Sequence, residues 1–425
     1  MKPRKLFILL TVSCLLFTAN LWANGGQEEE TGPVEVRISG FGGIDQNIVE
    51  ELLSNFVTPV IEDEGISVVY EPVPENYEQN LINSLSAGTA ADLFYMDIFW
   101  ARNVINTGRV AALNDYIDDS DIINDGDIIP SLLDAFTIDG DVYGIPKDFN
   151  SLALFFNKDI FDIAGVEYPD NDDTWEELEE KLAQVMENTE DMHGLAVPPD
   201  YARMGAFSFA NGWQPFENGE TNLMDPAFVE SFEWYTSLKE NGTGVVPNDI
   251  GQGWGGGAFA QGNVAACLEG AWILGFLRDN APNLNYGAVM LPQSPNTGER
   301  GNFIFTVAWG INAGSANTEE AFRVVELLTS PEAQQWVLER GLAIPSRAAL
   351  SDNEYFDQDN PEAQANKIVF MGASEGNVLP YFFHEYGGTW MEPINSALNE
   401  VFSGQTEVNS ALETAQQRLE RDVMD

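Results

Sequence analysis

The sequence predicts an α/β fold with a mostly parallel sheet and helices on both faces, and two observations carry that prediction. The first is the alternation near the N-terminus. Residues 34–38 alternate as a strand, and a helical pattern follows with Ile48, Leu52, Leu53 and Phe56 on one face. A second strand at 67–70, a helix at Tyr77–Ala87 and a third strand at 92–97 complete a βαβαβ order. The second observation is the apolar run 264–268, bounded by glycines and too short for a buried helix, which reads as a buried strand. With 425 residues and 44% hydrophobic content, the chain is long enough for two globular domains with sizeable cores.

Residues 1–23 read as a secretory signal, with Lys2, Arg4 and Lys5 ahead of an apolar stretch and cleavage expected after Ala23. The alternative is a lipobox-like Thr11-Val12-Ser13-Cys14, after which Cys14 becomes a lipid anchor. Either way the protein is expected outside the cytoplasm, with residues 24–33 as a flexible leader. If Cys14 leaves with the signal, Cys267 has no partner for a disulfide, and its apolar strand makes it a small buried hydrophobe. The net charge of −49 argues against nucleic acid or an anionic membrane as partners, and is compatible with a saline habitat. After the signal no apolar stretch approaches the roughly 20 residues of a membrane span. Two histidines and two cysteines are a poor inventory for zinc or copper, so no metal and no cofactor is expected.

Taken in order, the first strand runs into Ser39-Gly40-Phe41-Gly42-Gly43 and a helix expected to be capped by Asp45. No Lys-Ser/Thr follows these glycines, so the loop reads as a close backbone approach rather than a phosphate cradle, with Phe41 and Gly42 as candidate ligand contacts. Asp97 and Trp100 fall just past the third strand's carboxyl end, where open α/β sheets bind ligands. Asp139-Gly140-Asp141 joins two short strands, and a segment carrying Asp148 and Asn150 leads into the apolar run 152–156. Lys147 offers Asp148 a simpler fate, a surface ion pair. Thr174-Trp175-Glu176-Glu177 is a capping box before a helix to about Asn188 with Leu178, Leu182 and Val185 inward. A short strand at 195–197 stops at Pro198-Pro199; Asp200, Tyr201 and Arg203 follow it, before a helix expected from about Gly205. Residues 228–239 form an amphipathic helix. Trp254, alone among the glycines of a flexible loop at 251–257, is a candidate ligand-facing ring or lid. A turn at Glu269-Gly270-Ala271 then delivers Trp272 just past a strand end. Strands follow at 286–291 and 303–312, then two tandem helices, the second with Ser330 as N-cap and Pro331 at its first position. A final helical pair spans 390–402 and 407–423.

Several of these segments, in order, resemble the extracytoplasmic sugar-binding proteins of ABC importers, the maltose-binding-protein-like family. They are F-x-x-G-x-x-A-x-x-x-x-G-x-W ending at Trp272, A-G-T-A-A-D-L-F-Y-M-D ending at Asp97, Y-G-I-P…F-F-N-K-D-I-F from Tyr143, T-W-E-E-L at Thr174 and W-M-E-P-I-N from Trp390. Cys267, Ala271 and Ala91 depart from the usual wording. The resemblance implies a periplasmic-binding-protein-like fold of two discontinuous α/β lobes, 34–148 with 307–362 and 149–306 with 363–425. Hinge strands at 146–150 and 303–307 would join them over a ligand cleft. It implies sugar stacking on Trp272 and Trp390, polar contacts from Asp97, Asp148 and Asn150, and further contacts from Trp100 and Tyr201; Phe305, where relatives often have glycine, is expected to reshape the pocket and joins Trp254 among the candidate ligand-binding residues. It also implies a monomer that delivers a sugar or oligosaccharide to a membrane permease without catalysis. The rival is a secreted glycoside hydrolase, which uses the same residue types. With 68 carboxylates, some pair always has catalytic spacing, so the count does not decide.

Overall fold

In chain order the strands are β1 (Val34–Phe41), β2 (Ile66–Val73), β3 (Leu93–Asp97), β4 (Thr137–Ile138), β5 (Asp141–Val142), β6 (Ile145–Asn150) and β7 (Ala153–Asn157). They continue with β8 (His193–Ala196), β9 (Gly244–Val245), β10 (Val264–Glu269), β11 (Tyr286–Val289), β12 (Gly301–Ile311), β13 (Ile344–Pro345) and β14 (Asn377–Pro380). The computed structural model describes residues 33–424 apart from 125, 341 and 342, so the signal sequence, Cys14 and most of the leader lie outside the described residues.

Two main sheets organise the chain. The first has the order β13-β6-β12-β3-β1-β2, with β14 paired to the other end of β12; the second has the order β11-β7-β10-β8-β9. β1 is parallel to both β2 and β3, as the βαβαβ pattern requires, while β12 returns antiparallel to β3 and β6. β3 is buried from Leu93 to Met96 and β10 along its whole length, which is why both read as unbroken apolar runs rather than alternating ones.

The chain leaves β6 of the first sheet and enters β7 of the second across only Ser151 and Leu152. The return crossing is β12, hydrogen-bonded to β6 in the register Phe305 to Asn150, Thr306 to Phe149 and Val307 to Asp148, with a register shift after Val307. The two crossing segments therefore lie side by side as one antiparallel ribbon. One core surrounds the first sheet, with Val36, Ile38, Phe94, Trp309 and Val325. Two others flank the second, one with Leu154, Phe207, Tyr235 and Trp390, the other with Phe155, Cys267, Leu274 and Tyr355.

The capping box at Thr174 is present as expected: the Thr174 hydroxyl accepts from Glu177 N–H and the Glu177 carboxylate accepts from Thr174 N–H, starting the helix Trp175–Asn188. Ser330 caps Pro331–Glu339 by accepting from Ala333 N–H, without the reciprocal bond. Three local expectations are corrected. Asp45 is not a cap; Gly43 occupies the cap position, and Asp45 sits in the first turn of Ile44–Leu52. The helix expected from Gly205 begins at Tyr201, because Asp200 accepts from Ala202 N–H and starts it one turn earlier. The glycine stretch before β10 is not a flexible loop: Gly255, Gly256 and Gly257 are buried in the short helix Gly255–Phe259. A Cβ at Gly256 would overlap the Trp254 indole, so the glycines make the space in which that ring packs.

Candidate functional site

Strands β1 and β3 are parallel and end at Phe41 and Asp97, so their carboxyl ends open on the same edge of the first sheet. A cavity of about 380 Å³ lies there. Gly42 and Asp45 follow β1, Tyr95 comes from β3, Lys147, Asp148 and Asn150 from β6, and Val307 and Trp309 from β12. Trp272, at the start of the helix Trp272–Asn280, reaches it from beyond the second sheet. Ile48, Val49, Leu52, Leu328 and Val337 make its apolar part.

Lys147 organises the polar wall. Its ammonium pairs with Asp148, lies 3.8 Å from Asp45 and sits 4.9 Å from the Tyr95 ring centroid. Burial alone would lower the Lys147 pKa, but the carboxylates of Asp148 and Asp45 outweigh it and hold it above the usual value. Burial pushes the Asp148 carboxyl up, against the pull of Lys147. Asp97 caps the helix Ile98–Ile105 by accepting from Phe99 N–H at 2.9 Å. Burial raises its pKa to about 6 despite that bond, with Asp148 and Glu78 adding to the rise. One cation thus serves three neighbouring carboxylates.

The facing wall is aromatic. Phe305 meets Trp272 edge-on at 5.3 Å and continues to Tyr381 at 4.8 Å. Trp272 Nε1 donates to Glu269 at 2.8 Å, and the Arg203 guanidinium lies 5.6 Å from its ring. Asn150 joins the walls: its side-chain oxygen accepts from Ala271 N–H at 2.9 Å, fixing the turn ahead of Trp272 to the crossing strand.

The structure therefore brings Trp272, Asp148, Asn150 and Gly42 to one cavity. Phe41 touches its Tyr95 edge-on at 5.2 Å, Phe305 backs Trp272, and Asp97 acts on it through charge. It does not bring the other four. Trp100 is buried in the first core against Tyr77. Trp390 is fully buried, stacked on Phe383 at 4.7 Å with Nε1 donating to Thr221. Tyr201 is fully buried, edge-on to Trp390 at 5.2 Å. Trp254 packs against Phe276 at 5.0 Å. Each is held by apolar neighbours that local sequence does not reveal. Lys147 and Asp148 do pair, but in a buried cluster rather than at the surface. Sequence reasoning missed Asp45, Tyr95, Lys147 and Trp309 as lining residues, and Glu269 behind the ring; the one available signal was an acidic residue, Glu269, directly after an apolar run. Among the described residues no group of His, Cys, Asp or Glu could hold a metal ion, and no helix is long and apolar enough to cross a membrane. Burial raises the pKa of Cys267 well above the usual thiol value, as suits a packed hydrophobe.

Residues 56–366 match the family described as bacterial extracellular solute-binding protein. The chain belongs to that family. Among its relatives, a Brucella abortus protein named as a binding protein is 24% identical over 399 residues, covering 91% of this chain and 92% of that one. An arabinooligosaccharide-binding protein of Halalkalibacterium halodurans is 24% identical over 347 residues, covering 77% of this chain and 75% of its own length. A Listeria monocytogenes ABC substrate-binding protein solved in complex with cycloalternan superposes with a TM-score of 0.82 at 21% identity, over 92% of this chain and 99% of that one. The fold of this solute-binding protein is thus the periplasmic-binding-protein-like α/β architecture expected from its sequence.

Proposed function

We propose that the protein captures an oligosaccharide in the cavity between Trp272 and the Lys147 cluster and delivers it to the permease of an ABC importer. The observation that carries the reading is one cavity, lined from both sides of the β6/β12 ribbon, with an aromatic ring on one wall and carboxylates on the other. Sugar rings have apolar faces that stack on indole and hydroxyls that donate to carboxylates. The names of the relatives support the same ligand class.

On this reading the protein acts outside the cytoplasm, as a monomer and without catalysis. Residues 34–148 with 307–362 form one lobe and 149–306 with 363–425 the other, hinged at 146–150 and 303–307. A thermal-shift screen over mono- and oligosaccharides tests it. A true ligand at a hundred times its dissociation constant adds about 2.7 kcal/mol of stability. No shift with any sugar, or steady cleavage of the sugar that binds, would overturn the reading.

A further inference from the structure

Behind the Trp272 ring lies a carboxylate with no surface of its own open to the cavity. Glu269 ends β10 with 0% of its surface exposed. A buried carboxylate is costly unless its oxygens are matched, and here both are. One oxygen accepts from Gly256 N–H at 3.1 Å, the other from Arg203 Nη2 at 2.6 Å and Trp272 Nε1 at 2.8 Å. Arg203 is fixed in turn: its Nε donates to the Leu268 carbonyl at 3.0 Å and its Nη1 reaches Asp200 at 3.4 Å. Burial works against the guanidinium charge, but Glu269 and Asp200 outweigh it and raise its pKa.

An indole turns about two side-chain bonds, so a tryptophan held only by apolar contact samples several orientations. This one is restrained on several sides. Glu269 holds its N–H, Arg203 lies 5.6 Å from its centroid, and Phe305 meets it edge-on. Gly270 completes the seat, since a Cβ there would overlap the indole. We propose that Glu269 and Arg203 are positioning residues that lock the Trp272 ring in its ligand-stacking orientation before the ligand arrives. A platform ordered in advance spares the complex the entropy of ordering it on binding. The inference rests on the sugar-binding reading above for its purpose, though not for its geometry.

Two measurements on the full chain test it. The first is fluorine NMR with 5-fluorotryptophan and no ligand, the Trp272 line being assigned by its loss in Trp272→Phe. Glu269→Gln should shift and broaden that line while the other tryptophans stay in place. Arg203→Lys, which keeps the charge but loses the planar fork, should do the same more weakly. The second is calorimetry with linear arabino-, galacto- and maltooligosaccharides. Glu269→Gln, which removes the charge and sets an NH2 against the donors at one of the two oxygens, should weaken binding about tenfold when Trp272 is present. In a Trp272→Phe background, where no ring N–H remains to be held, it should change binding less than about twofold. Equal losses in both backgrounds, or an unmoved fluorine line, would overturn the proposal. If Glu269→Gln does not fold, Arg203→Lys carries both measurements. If none of these sugars binds the wild type, the functional reading fails while the fluorine line still decides the positioning.

Discussion

The two walls of the cavity are built from the same ingredients, buried carboxylates, one cation and an aromatic ring, yet they are finished differently. Around Lys147, three carboxylates share one ammonium, and Asp97 and Asp148 are both pushed towards protonation. Around Trp272, the single carboxylate of Glu269 has donors on both oxygens and is sealed from solvent. The polar wall faces the cavity with hydrogen-bonding capacity to spare. The aromatic wall hides its charges behind the ring and presents only the indole to the cavity. A surplus of acceptors suits partners that arrive carrying hydroxyl donors; a saturated network suits a surface that has to stay still.

The sharpest way to break this contrast is to remove the shared cation. Lys147→Met leaves Asp148 and Asp45 without it, and should cost about 3 kcal/mol of stability at neutral pH, the low end for a broken buried pair. The loss should shrink as pH falls and the stranded carboxylates take up protons; a denaturation midpoint unchanged at pH 7 would mean the cluster is solvated. Asp97 gives the next effect. Its folded pKa of about 6 lies above the unfolded value of 3.8, so its contribution is full below pH 4 and is lost as pH rises through 6. Asp97→Asn should therefore gain stability relative to the wild type between pH 4 and pH 7, by up to about 3 kcal/mol. A flat difference across that window would contradict a raised pKa.

On the aromatic wall the effect should appear in binding instead. Trp272→Ala is expected to weaken oligosaccharide affinity by about 1–3 kcal/mol, by analogy with stacking on aromatic platforms, without changing the fold seen by circular dichroism. Wild-type affinity in that variant would place the ligand elsewhere. The smallest signal is global. If a sugar bridges the two walls, its contacts exist together only in a closed form and shift the population towards it. Small-angle scattering should then show a smaller radius of gyration under saturating ligand. Superimposable curves with and without ligand would mean that one wall binds alone.

Much of the fold could be read from local pattern. The helix at Tyr77–Ala87 follows from its place in the strand–helix alternation, Trp175–Asn188 from periodicity and a capping box a few residues apart, and β10 from an apolar run between glycines. What failed locally was a matter of competing signals, as where Asp200 caps a helix directly after Pro198-Pro199. The site was harder to read, because its members meet across long stretches of chain. Asp45 reaches Lys147, and Arg203 reaches Glu269, only once the sheets have assembled. Tryptophans illustrate the limit. Trp272 and Trp390 stand in equally suggestive motifs, but the second has Phe216, Phe383 and Tyr201 packed around it and the first has a cavity in front of it.

Asn150 belongs to β6, yet it holds the backbone of the turn that precedes Trp272. The bond is buried, so breaking it would strand an amide and a carboxamide at about 1–3 kcal/mol. The turn therefore cannot swing independently of the strand. Any twist of the ribbon is transmitted to the indole, and any load on the indole returns to the ribbon through the same bond. Mechanically, ring and ribbon are coupled through that bond, so on the proposed reading the ring that would stack on the ligand is linked directly to the strands about which the molecule would bend.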